Sequence, residues 1–342
     1  MTIFQTLPYR EAYRAVFGRG KRFFDLSIGG GEAGGAQIWL QTRGVLAKRL
    51  EFWAQGIADC GGINLENPDC ARELWASIES TAARFHGAHL AQLSADSPLV
   101  ELARQSGWTV QSAEVCPSLA LPPTFEDYVQ SLGKNMREQI KRYPKRLEKE
   151  FSPLYEMAKT PAQVDEFLEE FFELHGKRWR ARGQTGVLAL PSRRRFHRLV
   201  CHKFLEENWL RLWRLRLDEK TVCVLLCYFW GGKYWFFLGG FDPNFQRWSV
   251  GTCLFARIFR EAIAEGATEF DFLRGAESYK YRYGATDRAY VTLQKFSDSP
   301  RGRLLRRRVH LESQFMEKLH ENFSAAGQEI GDPRSARTEF VN

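Results

Sequence analysis

The chain lacks the cysteine spacing of a structural zinc site. Its 342 residues contain seven cysteines, which are scattered along the sequence and include no Cys-x-x-Cys pair. Zinc sites of this kind are built from closely spaced Cys and His ligands. We therefore expect reduced, mostly buried thiols and no bound metal.

Long apolar runs are absent as well. The sequence has no stretch of about 18 apolar residues, the length that a membrane-spanning helix needs. The segment Met1–Pro8 also lacks the basic start and the apolar stretch of a signal peptide. The expected location is the cytoplasm.

The charge of the chain is unbalanced. Lys and Arg number 49 and Asp and Glu number 41, which gives a formal net charge of +8. Such an excess favours anionic partners, among them nucleotides, the pyrophosphate of CoA, tRNA, sugar phosphates and a membrane surface. The alternative is that this charge merely keeps a chain of this length soluble.

Short predicted strands and helices alternate, which indicates an α/β fold with a mixed sheet. Gly29–Gly35 is predicted to be a flexible loop, and Pro144 is predicted to kink or end the helix that begins near Thr124. A slip in the apolar alternation at Trp213 and Arg214 predicts a β-bulge. The other predicted elements are strand 37–40, helix 70–85, strand 89–93, helix 99–107, helices from Pro161 and Pro191, strands 210–217, 222–230 and 234–240, a helix from Ser249 to Gly266, and strands 270–273 and 291–295.

Three prolines between residues 117 and 123 indicate a domain boundary. We predict an N-terminal domain over 1–120, a second domain over 121–300, and a basic helical tail over 301–342 that is partly disordered. The tail begins with five arginines in residues 301–308. This stretch is interpreted either as a contact with an anionic membrane surface or as a solvated segment.

The strand predicted at 270–273 runs into a turn that is dense in charge and aromatic rings. Arg274, Glu277, Tyr279 and Lys280 follow it closely, and ligands of open α/β sheets bind at the ends of strands. The functional interpretation is that Lys280 lies beside a developing oxyanion. The structural alternative is a salt-bridged turn with aromatic packing.

The helix that starts at Ser249 has free backbone N–H groups at its N-terminus, an arrangement that binds anions. Gln246, Arg247, Gly251 and Thr252 lie there. A pyrophosphate fits such a site. Every helix has an N-terminus, however, and most bind only water, so both interpretations stay open.

His175 lies on the apolar face of the helix from Pro161, four residues after Phe171. A buried imidazole can be tuned for proton transfer. The alternative is a core histidine with a structural hydrogen bond, because one histidine without a spatial partner is weak support for catalysis.

The segment Lys134–Lys149 is strongly basic. Arg137, Lys141 and Arg142 within it suit the phosphates of a nucleotide sugar, a lipid carrier or RNA. The alternative is a solvated surface helix, since glutamates such as Glu138 balance part of the charge.

Four stretches of the second half of the chain occur in a recognisable order over residues 124–290. They are Lys134-Asn135-Met136-Arg137 to Arg146-Leu147, Phe172-Glu173-Leu174-His175 with Arg178-Trp179, Gly240-Phe241-Asp242 with Ser249-Val250-Gly251-Thr252-Cys253-Leu254, and Asp271-Phe272-Leu273-Arg274-Gly275 with Glu277, Tyr279-Lys280 and Tyr283-Gly284. Together they resemble the CelD-like branch of the GNAT superfamily of acyltransferases, which is related to the FemAB peptidoglycan aminoacyltransferases.

This resemblance implies tandem GNAT-like domains, the N-terminal one degenerate. It implies transfer of an acyl group, taken as acetyl from acetyl-CoA, to an amine or hydroxyl of a cell-surface polysaccharide or envelope precursor. The alternatives are an aminoacyl-tRNA donor, as in the FemAB relatives, and a non-catalytic scaffold in a polysaccharide export complex. The usual phosphate-binding pattern is incomplete, because Arg247 and Gly251 are one residue too far apart and Cys253 replaces a smaller residue.

The resemblance also assigns roles to residues of this chain. Lys280 with Tyr279 stabilises the tetrahedral intermediate, and Asp242, Glu277 or His175 removes the acceptor proton. The donor-binding residues are Gln246, Arg247, Ser249, Val250, Gly251 and Thr252, and the substrate-binding residues are Arg137, Lys141, Arg142, Trp179 and Arg274.

Overall fold

The computed structural model describes residues 1–31, 34–181 and 183–327. No helix in these ranges is both long and apolar enough to cross a membrane. Helices alternate with the strands of two sheets, and each sheet contains both parallel and antiparallel pairs. The predicted fold class, α/β with mixed sheets, is therefore confirmed.

The chain divides into two compact units, one built on Met1–Cys116 with Arg288–Asn322 and the other on Pro117–Asp287. The core of the first unit lies between its sheet and two helices that carry Leu74 and Leu99. The elements of Met1–Cys116 are α1 (Leu7–Phe17), β1 (Phe23–Gly31), β2 (Gly34–Arg43), β3 (Arg49–Phe52), β4 (Asn64–Leu65), α2 (Ala71–Ala82), β5 (Gly87–Ser94), α3 (Pro98–Gln105) and β6 (Thr109–Ser112).

The glycine-rich segment Gly29–Gly35 is part of a β-hairpin, and the prediction of a flexible loop is wrong where the structure describes it. Strands β1 and β2 pair up to Gly31 and Gly34, while residues 32–33 lie outside the described residues. Leu26 and Ile28 of β1 pack against the core. Burial of one face fixes the register of a strand, and the pairing then extends into the glycines.

The second unit is a sheet covered by helices. Its elements are β7 (Ser118–Ala120), α4 (Phe125–Ser131), α5 (Lys134–Glu150), β8 (Pro153–Met157), α6 (Pro161–Arg180), α7 (Pro191–Glu206), β9 (Leu210–Leu217), β10 (Lys220–Trp230), β11 (Lys233–Phe241), α8 (Val250–Ala264), β12 (Glu269–Asp271) and α9 (Ser278–Arg282). Within the described chain, its six strands follow the order β7-β12-β11-β10-β9-β8. Among the described strands of this sheet, only β11 and β12 are parallel, and α8 connects them.

Strand β13 (Tyr290–Phe296) and helix α10 (Pro300–Gly327) return to the first unit. Strand β13 lies between β5 and β6 and completes a sheet that counts seven strands among the described residues. The strand predicted at 291–295 is confirmed, but it joins the first sheet, whereas the sequence-based division places it in 121–300. Hydrogen bonds between distant segments decide the sheet of a strand, and no local pattern specifies them. The predicted disorder of the tail falls mainly on 328–342, outside the described residues.

The helix that begins after Thr124 ends at Ser131, and a separate helix, α5, continues through Pro144, so the proline does not end a helix. One face of α5, which carries Met136, Ile140, Tyr143 and Leu147, is buried in the core of the second unit. Fully burying such a side chain contributes about 1.5–3 kcal/mol. Four of them outweigh the cost of about 3 kcal/mol of a proline inside a helix.

The β-bulge was predicted at Trp213 and Arg214, and this position is wrong. Both residues pair regularly with β10, and the register shift lies between Thr221 and Cys223 of that strand. Strand β9 is buried almost throughout, so its alternation does not report which face a residue occupies. The buried guanidinium of Arg214 pairs with the carboxylates of Glu156, Glu166 and Glu170.

Candidate active site

Strands β11 and β12 part where β12 ends, after the pair Trp235–Asp271. Their parallel ladder runs from Lys233–Glu269 to Trp235–Asp271, and within the described residues it stops there. Strand β11 continues to Phe241. The backbone of β11 beyond Trp235 therefore faces a gap in the hydrogen-bonding ladder. The turns that follow the two strands lie at this same edge, because the strands are parallel.

The turn after β12, residues 273–277, is organised around a buried ammonium group; we call it the Lys280 turn. Lys280 is 2 % exposed. Its Nζ donates to the carbonyls of Leu273 (3.2 Å), Arg274 (2.9 Å) and Gly275 (2.9 Å) and lies 2.8 Å from Glu277 Oε2. An ammonium has three hydrogens, so these neighbours saturate it.

The backbone of the Lys280 turn is held in an uncommon conformation. Leu273 has a φ of +56°, and its N–H donates to Asp271 Oδ1 at 2.7 Å. Gly275 has a φ of +106°, and a Cβ there would lie 2.7 Å from Glu277 Oε2. Such strain persists only where the surroundings over-determine it and is concentrated at functional sites.

The carbonyl directions of the Lys280 turn fix the directions of its amides. In a trans peptide the C=O and the following N–H point in opposite directions. Because the carbonyls of Leu273, Arg274 and Gly275 point at Lys280 Nζ, the following amides point away from it. The turn thus presents backbone donors on the side opposite the ammonium.

Tyr279 and Glu277 flank the ammonium. The ring of Tyr279 is buried and lies near the rings of Phe255 and Phe272. Burial, followed by the charge of Glu277, raises the pKa of the Tyr279 hydroxyl well above its ordinary value, so that it is a neutral donor. The Glu277 side chain is 29 % exposed and remains accessible.

The turn after β11 is anchored by Asp242, whose side chain is 2 % exposed. Its Oδ1 accepts from the N–H of Asn244 (3.0 Å), and its Oδ2 lies 2.7 Å from Lys220 Nζ. Burial raises the pKa of this carboxyl, but the bonds from Lys220 and Asn244 outweigh it, and the pKa is lowered. Asp242 is therefore an ionised cap whose two oxygens are both engaged.

The N-terminus of α8 is buried. The first intrahelical bond runs from the N–H of Cys253 to the carbonyl of Ser249 at 3.1 Å, so the amides of Val250, Gly251 and Thr252 have no acceptor within the helix. Ser249 is 4 % exposed, and Val250 and Thr252 are each 1 % exposed; Gly251 is buried too. Solvent does not reach these residues, whereas a pyrophosphate cradle needs amides that a ligand can reach.

Aromatic and cationic side chains pack beside this buried helix end. The ring of Trp248 lies 5.0 Å from that of Phe151 and 4.3 Å from the guanidinium of Arg146. Arg146 also donates to the carbonyl of Arg247 at 3.3 Å. Of the predicted donor-binding residues, Gln246 is half-buried and Arg247 is exposed.

His175 and Trp179 form a hydrogen-bonded pair on α6. His175 Nε2 accepts from Trp179 Nε1 at 2.8 Å. Burial, with smaller contributions from Arg178 and Arg194, lowers the pKa of His175 to about 3. The imidazole is therefore neutral, and its basic nitrogen is engaged. Strand β11 approaches this helix closely, since a Cβ on Gly240 would lie 2.8 Å from the backbone nitrogen of His175.

The basic residues of α5 have different surroundings. Arg137 donates to the carbonyls of Gln130 (2.7 Å) and Leu132 (2.9 Å) and so caps the end of α4. Lys141 and Arg142 are exposed. The guanidinium of Arg137 is thus occupied, while Lys141 is accessible.

Lys141 borders a groove of about 510 Å³ among α4, α5 and α8, which we call the basic groove. Four cations line it: Lys141, Lys145, Arg257 and Arg260. The remaining wall is largely apolar and includes Val129, Ile140, Pro144, Tyr155, Cys253 and Ala256. Among the described residues, no group of three or more His, Cys, Asp or Glu side chains is placed to hold a metal ion.

The structure places the predicted residues in four regions, of which the first is α5 with Arg137, Lys141 and Arg142. Arg274, Glu277, Tyr279 and Lys280 share the Lys280 turn and the short helix α9; Asp242 and Gln246–Thr252 lie in the turn after β11; His175 and Trp179 lie on α6. Sequence reasoning missed one buried side chain as a site residue, Arg178. Arg178 lies 5.3 Å from the ring of Phe241. Its charge lowers the pKa of Tyr279, which offsets part of the larger rise caused by burial. Its spacing of three residues from His175 was a signal that could have placed it on the same buried face.

The comparisons with known proteins agree on the type of fold. Residues 134–281 match the family model described as "Acetyltransferase (GNAT) domain". The comparison with curated proteins found no match.

Three solved structures share the architecture at low sequence identity. FemX is 10 % identical, with a TM-score of 0.66 over 89 % of this chain and 94 % of its own. L-PGS from Bacillus licheniformis is 14 % identical, with a TM-score of 0.55 over 93 % and 98 %. The C-terminal domain of a putative lysylphosphatidylglycerol synthetase from Agrobacterium fabrum is 12 % identical, with a TM-score of 0.54 over 84 % and 92 %. Residues 134–281 are thus similar to a GNAT acetyltransferase domain, and this chain shares its fold with FemX.

Proposed function

We propose that the second unit is an acyltransferase of the CelD-like type, which transfers an acyl group to an amine or hydroxyl of a cell-surface polysaccharide or envelope precursor. The gap between β11 and β12 beside the Lys280 turn carries this proposal. Backbone donors at such an edge can bind the carbonyl oxygen of an acyl donor and stabilise the oxyanion of the tetrahedral intermediate. Holding donor and acceptor together there supplies much of the rate.

Lys280 acts in this proposal as a positioning residue. Its ammonium is saturated by three carbonyls and Glu277, so it directs the amides of the Lys280 turn towards the donor carbonyl. Tyr279, a neutral phenol beside it, provides a further donor. The positive charge behind the turn also favours negative charge in front of it.

Glu277 is the proposed general base. Both oxygens of Asp242 and the basic nitrogen of His175 are engaged in structural bonds. Glu277 has a buried oxygen, Oε2, at 2.8 Å from Lys280 Nζ, but its side chain is 29 % exposed next to the turn. A base must reach the proton of the acceptor directly or through one water, and of the three predicted bases Glu277 satisfies this condition best.

An aminoacyl-tRNA is the donor that the buried α8 N-terminus favours. A CoA pyrophosphate on Gln246, Arg247, Ser249, Val250, Gly251 and Thr252 would require accessible amides, and most of these residues are buried. Acetyl-CoA is the second candidate, supported by the description of the matching family. Either donor places its acyl carbonyl in the gap between β11 and β12.

Transfer assays with aminoacyl-tRNA and with acetyl-CoA test the proposal. The full chain should bind one of these donors in an equilibrium measurement, and Glu277→Gln should lower kcat by about 100-fold or more while donor binding is unchanged. Glu173→Gln, an exposed glutamate on α6, is the matched control and should leave kcat unchanged. Binding of neither donor would refute acyl transfer and support a non-catalytic scaffold.

Helix α10 of the first unit is the proposed peripheral membrane contact of a protein that acts at the cytoplasmic side of the inner membrane. Leu305 and Val309 are buried against the unit, whereas Leu304 and Leu311 are each 63 % exposed among arginines. An exposed face of this kind suits an anionic membrane surface. Leu304→Glu with Leu311→Glu should abolish co-sedimentation with phosphatidylglycerol vesicles; retained co-sedimentation would exclude this contact.

A further inference from the structure

The basic groove combines two features that one ligand class explains together. Its four cations are accompanied by two carboxylates, those of Glu126 and Glu148, so the lining has an excess of positive charge. The wall between the cations is apolar. An ordinary charged surface in contact with water does not require an apolar groove. An apolar surface that packs against another protein does not require a cluster of cations.

Two of the cations are placed without partners of opposite charge. Lys141 and Lys145 are one helical turn apart on α5 and are both exposed. In the part of the chain that the structure describes, neither forms an ion pair. Like charges at this spacing destabilise a helix slightly, and an anion bound between them would relieve the repulsion.

The two arginines complete the opposite rim. Arg257 pairs with Glu261 at 2.8 Å on the same helix. Arg260 lies 4.2 Å from the ring of Phe125 and 3.8 Å from the carboxylate of Glu126. Both arginines are exposed enough to turn towards a ligand, since their side chains are 46 % and 53 % exposed.

Tyr155 adds an independent observation. It lines the groove, and its buried hydroxyl has no hydrogen-bond partner among the residues that the structure describes. A buried polar group without a partner costs about 1–3 kcal/mol. Burial raises the pKa of this hydroxyl above its ordinary value, so it is a donor in need of an acceptor.

We propose that the basic groove binds an anionic lipid, with its alkyl chain along the apolar wall and its phosphate between the lysines of α5 and the arginines of α8. A phosphate oxygen accepts from Tyr155. RNA is less suitable, because phosphates along a polynucleotide do not require a narrow apolar wall, and stacking platforms for bases are the usual accompaniment. If the bound lipid is also the acceptor of the acyl group, that role rests on the proposed function. The binding of the lipid does not.

Binding of monomeric lysophosphatidylglycerol to the full chain tests the inference without turnover. It should bind at least about tenfold more tightly than inorganic phosphate or the uncharged monoacylglycerol, because only the lysolipid contacts both parts of the groove. Equal binding of the lysolipid and the monoacylglycerol would overturn the role of the cations. The binding assay contains no acyl donor. Lysolipid binding can therefore be found even if acyl transfer fails, and acyl transfer can be found even if lysolipid binding fails.

Charge reversals on one helix locate the site. Lys141→Glu with Lys145→Glu should weaken lysolipid binding by about tenfold or more. Lys134→Glu with Lys149→Glu changes the charge of α5 equally outside the groove and should leave binding unchanged. Equal losses of lysolipid binding in both double variants would show non-specific attraction and overturn the proposal. The proposal would also be overturned if Lys141→Glu with Lys145→Glu lost tRNA binding but kept lysolipid binding.

Tyr155→Phe separates ligand binding from folding. Removing an unpaired buried hydroxyl should raise the Tm of the free protein and weaken lysolipid binding by about threefold or more. A structural role of the hydroxyl would lower the Tm instead. Unchanged lysolipid binding in this variant would exclude the hydroxyl from the site.

Discussion

The two turns at the carboxyl edge of the second sheet are built in opposite ways. The turn after β11 leads into a helix whose first residues, Ser249–Thr252, are buried. The turn after β12 surrounds a buried ammonium with its own carbonyls and so turns its amides away from Lys280. Unpaired amides at a helix N-terminus are thus not a binding site by themselves. Whether a ligand can reach them depends on what packs over them.

The largest expected effect is that of removing the ammonium from the Lys280 turn. Lys280→Met leaves three carbonyls and Glu277 without their donor, and we expect the free energy of unfolding of the second unit to fall by about 3 kcal/mol. Urea unfolding monitored by tryptophan fluorescence measures it. Lys233→Met removes an ion pair that is partly exposed on β11 and should cost less than about 1 kcal/mol. Equal losses would contradict the central role of Lys280.

His197 tests the packing behind β11. Its ring contacts those of Phe196 and Phe237, and burial, with small contributions from Arg193 and His175, lowers its pKa to about 3. The unfolded chain binds the proton near pH 6.5 and the folded chain only near pH 3. Stability should therefore be full above pH 6.5 and be lost progressively as the pH falls towards 3.

The loss due to His197 should reach about 2 kcal/mol at pH 5. His197→Leu should remove this part of the pH dependence, whereas His202→Leu, which replaces a partly exposed histidine of the same helix, should retain it. The measurement is the urea midpoint as a function of pH. A slope that is unchanged in His197→Leu would contradict a buried neutral imidazole.

Asp242 is the buried ion of the turn after β11, and its removal should cost less than that of Lys280. Asp242→Ala removes a cap and one ion pair, for an expected loss of about 1–2 kcal/mol. Its pKa is lowered in the folded state, so its contribution is present above the ordinary carboxyl range and disappears as the pH falls through the lowered pKa. Unfolding curves at neutral and acidic pH check both statements. A loss as large as that of Lys280→Met would abolish the contrast between the turns.

The smallest expected change in stability comes from relieving backbone strain. Each of the two turns contains one residue with a left-handed backbone conformation. Ser249 has a φ of +53° and Leu273 one of +56°. Ser249→Gly should raise the free energy of unfolding by about 0.5–1 kcal/mol, because glycine adopts this conformation without strain. Leu273→Gly relieves the same strain but removes a side chain that is 0 % exposed, so it should lower stability by about 2 kcal/mol or more. Thermal unfolding of both variants measures the difference, and the same sign in both would contradict it.

The fold of the second unit was largely predictable from local patterns. Strand β10 is an almost continuous apolar run and the helix from Ser249 has a regular apolar face, so the burial of both elements could be predicted from the sequence. The errors have different causes. The placement of β13 depends on pairing with β5 and β6, which are distant in sequence. The hairpin at Gly29–Gly35 and the bulge in β10 form between strands that are adjacent in sequence, and neither is marked by the local residue pattern.

The candidate site was predictable in its location but not in its mechanism. The dense charge after β12 pointed to the Lys280 turn, since few structural turns gather so many ionisable groups. The sequence by itself also determined the class of fold, because hydrophobic period and turn residues act locally. Only the tertiary structure decided that Lys280 donates to its own turn and that Ser249–Thr252 are buried. The physical reason is that solvent access and hydrogen-bond saturation are properties of what packs around a group, and the packing partners come from elsewhere in the chain.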